Sequence, residues 1–129
     1  MKETSVRENK RLLLIDDDPN LILLVKDYLE FRGYEVITAE NGREALEVLE
    51  QEIPDMIICD VMMPEMDGLT ATREIRKIDR WKTLPIIMLT AKAMAEDQNR
   101  CIEAGANDYL SKPLDVDKLL SLTRVWMPR

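Results

Sequence analysis

Asp55-Met-Ile-Ile-Cys-Asp60-Val-Met-Met-Pro64-Glu-Met-Asp-Gly68 is the stretch on which the reading of this 129-residue chain turns. Met56 to Cys59 form an apolar run of buried-strand length. The run delivers Asp60 to the strand's carboxyl end, where a loop carrying Pro64 and Gly68 takes over. Taken alone, a carboxylate in that place does no more than open a turn. Its significance depends on what the other strands bring beside it.

Working outward, Leu12 to Ile15 form a first apolar strand closed by Asp16-Asp17-Asp18. Asp18 is a good N-cap with Pro19 at the first helical position, and Leu21, Leu24, Val25, Tyr28 and Leu29 are expected on one helical face. Gly33 closes that helix, and Tyr34 to Thr38 read as a second strand. Asn41-Gly-Arg-Glu44 resembles a capping box, opening a helix through Leu49. Pro54 resets the chain for the central strand, and after Gly68 a helix is expected to about Ile78. Pro85 to Leu89 form a fourth strand ending on Thr90, and Ala91 to Ala104 a helix stopped by Gly105. Asn107 to Ser111 read as a last strand, Lys112-Pro113 break it, and Asp115 caps a final helix with Val116, Leu119, Leu120, Thr123 and Trp126. Residues 1–10 are polar and expected to be a flexible tail, leaving residues 11–127 as one domain. Strands alternating with helices imply a doubly wound α/β fold, a five-stranded parallel sheet with helices on both faces.

Composition narrows the function. The chain is 46% hydrophobic, suiting one core, and carries a net charge of -7, which disfavours direct nucleic-acid binding. No apolar run approaches the roughly 20 residues of a membrane span, and the N-terminus lacks a signal-like segment, so no membrane association and a cytoplasmic location are expected. Cys59 and Cys101 read as buried free thiols. Histidine is absent, which removes imidazole metal ligands, histidine-based triads and any phosphohistidine made on this chain.

In such a sheet, ligands bind beyond the carboxyl ends of the strands. Four strands end there in reactive groups: Asp16 and Asp17, then Asp60, then Thr90, then Lys112. Each singly has an ordinary structural explanation; together they indicate a shared site. Three clustered carboxylates repel one another unless a cation sits among them, and all-oxygen ligation suits Mg²⁺ or Mn²⁺. With a metal and Lys112 neutralising phosphoryl oxygens and Thr90 donating a hydrogen bond, one carboxylate can attack phosphorus to give an acyl phosphate.

These residues resemble the receiver domains of two-component response regulators. Asp16-Asp17, Asp60 in Cys-Asp-Val-Met-Met-Pro-Glu-Met-Asp-Gly, Thr90-Ala91 and Tyr109-Leu-Ser-Lys112-Pro113 fall in that family's order and spacing, from Arg11 to the final helix. The resemblance implies flavodoxin-like strand order 2-1-3-4-5. It also implies Asp60 as phosphoacceptor, Asp17, Asp60 and the Met62 carbonyl as metal ligands, and Asp16 holding the ion through water. Lys112 and Thr90 would contact the phosphoryl group, Tyr109 would be a switch aromatic, and Lys112-Pro113 would be cis. A histidine kinase or histidine phosphotransfer domain is the implied donor, docking near Ile22 and Leu23, with a downstream protein partner for the switched surface. Up to Gly68 the chain is similar to receivers on transcription factors. From Leu69 it is similar to receivers closing hybrid histidine kinases, and ordinary family variation accounts for the mixture more simply than recombination.

In-line attack of water on the phosphoryl group would pass the residues two after Asp60 and two after Thr90, so Met62 and Lys92 are expected to tune dephosphorylation. The main rival is a haloacid-dehalogenase-like phosphohydrolase with Asp16 as nucleophile and Asp18 as acid/base. Pro19 directly after the acids and the unexplained placement of Asp60 count against it. A flavodoxin-like binding module would need a phosphate loop after the first strand, and a receiver without phosphorylation would lack an acid, the Thr or the Lys.

Overall fold

The computed structural model describes residues 10–91 and 95–127. The expected tail, apart from Lys10, therefore lies outside the described residues. Five parallel strands, β1 (Arg11–Ile15), β2 (Glu35–Ala39), β3 (Met56–Asp60), β4 (Ile86–Thr90) and β5 (Asp108–Ser111), form one sheet in the order β2-β1-β3-β4-β5. Helices α1 (Pro19–Phe31), α2 (Gly42–Gln51), α3 (Gly68–Arg76), α4 (Ala95–Ala104) and α5 (Val116–Trp126) connect or follow them, with a 3₁₀ turn at Asp79–Trp81. The doubly wound reading and the strand order both hold.

The pleat divides the core into two. Leu12, Leu14, Met56, Ile58, Ile87 and Leu89 point to the face covered by α1 and α5, where they meet Val25, Leu29, Leu119 and Leu120. Leu13, Ile15, Ile57, Cys59, Ile86 and Met88 point to the other face and meet Ala45, Leu49, Leu69, Ile75 and Cys101 from α2, α3 and α4. Because both faces are covered, the three central strands read as continuous apolar runs rather than alternating ones. Each fully buried Leu or Ile contributes about 2 kcal/mol relative to exposure. Cys59 and Cys101 are buried and unpaired, as expected.

Helix ends follow the sequence signals closely. Asp18, Asn41, Asp67 and Asp115 each accept a backbone N–H from the first turn of their helix. The differences are instructive. Tyr34 is not in β2, because its N–H closes the end of α1 on Leu29 O while Gly33 sits at positive φ. The third helix stops at Arg76 instead of Ile78: Lys77 and Ile78 donate to Glu74 and Ile75, three residues back, and tighten into the 3₁₀ turn. On α1, Leu24 is 56% exposed and Ile22 packs against the core in its place. The buried stripe centres on Val25 and Leu29, and Leu24 lies about 100° of helical rotation to one side of Val25.

One turn residue positions the site directly. The Gly68 N–H donates to Val61 O at 2.9 Å, folding the loop after β3 back over that strand's end. A Cβ on Gly68 would stand 2.0 Å from Asp60 O, so only glycine fits. Gly68→Ala is expected to lower unfolding stability by about 2 kcal/mol or more, measured by urea denaturation; an unchanged midpoint would refute this account of the loop.

Candidate functional site

The parallel register brings the acids together. Ile15 pairs with Cys59 across β1 and β3, so the next residue on each chain, Asp16 and Asp60, emerges side by side at the carboxyl edge. Both continue the alternation of Leu14 and Ile58, on the α1 and α5 side. Asp16 is fully buried and Asp60 is 4% exposed; Asp17 is exposed. Their carboxylate oxygens, one from each of Asp16, Asp17 and Asp60, lie within 4.8 Å of one another. At that spacing two ionised carboxylates repel by about 3–4 kcal/mol at an effective dielectric near 20.

Lys112 answers part of this repulsion. Leu110 faces the same side as Leu89, so Lys112, two residues on, returns to the side of Asp60. Its Nζ lies 3.3 Å from Asp16 Oδ2 and 3.3 Å from Asp60 Oδ1. The Lys112 N–H donates to Thr90 O at 2.7 Å, and the Lys112-Pro113 peptide is cis. Burial pushes the Asp60 carboxyl above its ordinary value, the nearby Asp16 charge adds to that push, and Lys112 opposes both. For Lys112, burial pulls the ammonium down, but Asp60 and Asp16 outweigh it and leave it raised. Three carboxylates and one ammonium leave two formal negative charges unanswered when all are ionised. The donor set, all oxygen and partly open to solvent through Asp17, fits one hard divalent cation.

Of the other predicted residues, Thr90 and Met62 lie beside this centre. Thr90 ends β4 beside β3 and is 3% exposed; it lines a cleft of about 250 Å³ together with Val61, Met62, Asp67 and Cys101. Met62 sits at the cleft's mouth, its N–H donating to Asp60 Oδ1 at 3.4 Å. Tyr109 does not reach the acids. Its ring packs against the α2–α4 core and its hydroxyl donates to Gln98 on α4 at 3.1 Å. Lys92 lies outside the described residues.

Against the hydrolase alternative, Asp18 is committed as the α1 cap, accepting Asn20 N–H at 2.9 Å. Both oxygens of Asp16 are occupied, Oδ1 by Asp18 N–H at 2.9 Å and Oδ2 by Lys112.

Residues 12–124 match the family model described as response regulator receiver domain. The chain belongs to the response regulator receiver domain family. The receiver is 43% identical over 105 residues to the alkaline phosphatase synthesis transcriptional regulatory protein PhoP of Bacillus subtilis, an alignment covering 81% of this chain and 43% of that protein. It is 40% identical over 119 residues to the sensor protein GacS of Pseudomonas syringae pv. syringae, covering 90% of this chain and 13% of that one. The chain thus spans less than half the length of either relative. Among solved structures, the receiver domain of sensor histidine kinase PA1611 from Pseudomonas aeruginosa PAO1 superposes with a TM-score of 0.86 at 35% identity, covering 94% of this chain and 99% of that one. That crystal structure has a magnesium ion coordinated in its active-site cleft. The receiver is therefore a domain of two-component signalling, and it is similar to receivers of both regulators and sensor kinases. No helix among the described residues is long and apolar enough to cross a membrane.

Sequence reasoning missed two contributors. Gly68 acts through its contact with the Asp60 carbonyl, and Asp67 caps α3 through Thr70 N–H at 2.8 Å. An Asp-Gly pair just before an apolar-periodic segment carries the signal for both.

The raised Asp60 value fixes a sign. A carboxyl whose folded-state value exceeds its unfolded one gives stability below the unfolded value, and this is lost as pH rises through the folded one. In the absence of divalent ions, Asp60→Asn should therefore melt higher than the parent at neutral pH, by about 4 °C for each kcal/mol of repulsion relieved. The difference should shrink as the pH falls and Asp60 takes up a proton in the parent. A variant that melts lower at neutral pH would contradict the electrostatic account.

Proposed function

We propose that this receiver accepts a phosphoryl group on Asp60 from a partner's phosphohistidine or a small acyl phosphate, and that the modification alters its surface for a downstream protein. The observation that carries this reading is the pairing of Asp16 and Asp60 across neighbouring strands, with the Lys112 ammonium 3.3 Å from each. A Mg²⁺ ion, or Mn²⁺ in its place, would be held by Asp17, Asp60 and the Met62 carbonyl, with Asp16 acting through water; when bound it supplies positive charge opposite the phosphoryl oxygens. Asp60 is the nucleophile: its carboxylate oxygen forms the new bond to phosphorus as the donor's P–N or P–O bond breaks. Lys112 keeps its charge throughout and pairs with a phosphoryl oxygen, while the Thr90 hydroxyl donates to another. The only reactions catalysed are the chain's own aspartyl phosphorylation and its hydrolysis.

The switch follows from the same contacts. Drawing Thr90 toward the phosphoryl oxygens loosens the neighbouring cleft and lets the Tyr109 ring leave Gln98 and turn inward. This shifts the population of the face made by α4, β5 and α5.

Intact mass after acetyl phosphate treatment tests the assignment. The parent should gain about 80 Da, one phosphoryl group, only with Mg²⁺ present, and Asp60→Asn should gain nothing. Labelling that persists in Asp60→Asn and vanishes in Asp16→Asn would overturn it.

These residues include no histidine, so a phosphohistidine donor lies outside them. We place the donor's docking surface on α1 beside the site. Leu23 and Leu24 are 60% and 56% exposed, and Leu23 lines a groove with Asp17, Pro19 and Ile22. Leu23→Lys with Leu24→Lys should slow transfer from a histidine phosphotransfer domain about tenfold, the loss expected of one apolar anchor, while acetyl phosphate labelling stays unchanged. Equal transfer rates would move the docking surface elsewhere.

A further inference from the structure

Three methionines follow Asp60 within six residues, and two of them are engaged in packing. Met63 is half-buried against the α2–α4 core. Met66 lies against α2, where its Cγ would meet a Cβ added to Gly42 at 2.9 Å. Met62 has no such engagement: it is 68% exposed and borders the cleft shared with Val61, Asp67 and Thr90. Its own backbone N–H is directed at Asp60 Oδ1, so the thioether is anchored beside the reacting carboxylate and yet open to solvent. Met56, Met88 and Met127 are buried. The thiols of Cys59 and Cys101 are buried and pushed up by that burial, which makes them poor competitors for an oxidant.

We propose that Met62 is a reversible oxidation site that shortens the lifetime of the phosphoryl group on Asp60. The inference rests on Asp60 being the phosphoacceptor. The oxidant class is a peroxide. The Met62 sulfur lone pair attacks one peroxide oxygen, the O–O bond breaks, an S–O bond forms and water leaves after proton transfer. Sulfur loses two electrons and the peroxide gains them. The side chain changes from an apolar thioether, unable to orient water, to a sulfoxide whose oxygen is a strong hydrogen-bond acceptor.

That oxygen stands at the cleft mouth from which water approaches phosphorus opposite the Asp60 oxygen. By accepting a hydrogen bond from this water it aligns the attack, and the water's protons leave with the phosphate and solvent. The new P–O bond forms as the bond to Asp60 breaks, releasing phosphate and restoring the carboxylate. A thiol-dependent methionine sulfoxide reductase returns the oxygen as water and restores the slow decay. The receiver would thus lose its signal faster under oxidising conditions without any change in its kinase.

The test uses the full chain, phosphorylated with acetyl phosphate and Mg²⁺ and then freed of donor, with and without prior limited hydrogen peroxide. Peptide mass mapping should place the first added oxygen, about 16 Da, on Met62 ahead of Met63 and Met66. Decay of the phosphoryl mass should then be about fivefold faster, the rate equivalent of one ordinary hydrogen bond to the attacking water. Methionine sulfoxide reductase should reverse the acceleration, and Met62→Leu should decay at the same rate before and after peroxide. The proposal is overturned if Met62 is not oxidised first, if its sulfoxide leaves decay unchanged or slower, or if Met62→Leu is accelerated equally. A separate failure, no phosphoryl mass on the untreated chain, would count against Asp60 as acceptor instead.

Discussion

Two carboxylates that the β1–β3 register sets side by side, both buried, are the constraint to which the rest of this edge responds. Asp16 follows residues 12–15 and Asp60 follows residues 56–59, runs whose every side chain is apolar and nearly fully enclosed, so water cannot screen them well. Lys112 stands between them, directly after the last strand. Its attraction for each acid, at 3.3 Å, is about 5 kcal/mol on the same effective dielectric that sets the acid–acid repulsion near 3–4. One ammonium therefore holds a pair of acids in place but does not neutralise a third. The remainder of negative charge is what makes the edge receptive to a divalent ion and, with it, to a phosphoryl group.

The opposite end of the sheet is built differently. The Arg76 guanidinium donates to Gly105 O, Trp81 O and Asn107 Oδ1 at 2.7–2.9 Å, and the same Asn107 oxygen accepts Ile86 N–H. One side chain thus ties the end of α3, the 3₁₀ turn and the starts of β4 and β5, with only neutral partners; burial pulls its guanidinium below its ordinary value. Binding costs at the carboxyl edge are carried by a fold whose amino edge is cross-tied and whose two apolar cores are closed. Such an arrangement lets the active edge hold opposed charges without loss of the whole structure.

Much of this was legible in the sequence because it depends on short-range rules. Apolar runs of four or five residues marked β1, β3 and β4, and Asp18, Asn41 and Asp115 marked helix starts that their side chains do cap. The acids, Thr90 and Lys112 were legible as a set because a parallel sheet gathers its strand ends at one edge. What escaped depends on tertiary contact. Leu24 looked like core because several leucines on α1 satisfy a helical period, and only the sheet's position selects Ile22 over it. The reason for Gly68 is a carbonyl eight residues away, and the early end of α3 reflects the tightening of Lys77 and Ile78 into a 3₁₀ turn. The outward contact of Tyr109 with Gln98 requires knowing where α4 lies.

Burial and then Asp16 disfavour the charged form of Asp60, and a bound cation should relieve both. Carbon-13 NMR of the aspartate carboxyl carbons, titrated against pH with and without Mg²⁺ and assigned through Asp60→Asn, measures this directly. The Asp60 value should lie above that of exposed aspartates without the ion and fall when Mg²⁺ is added. An ordinary value that Mg²⁺ leaves unmoved would contradict it.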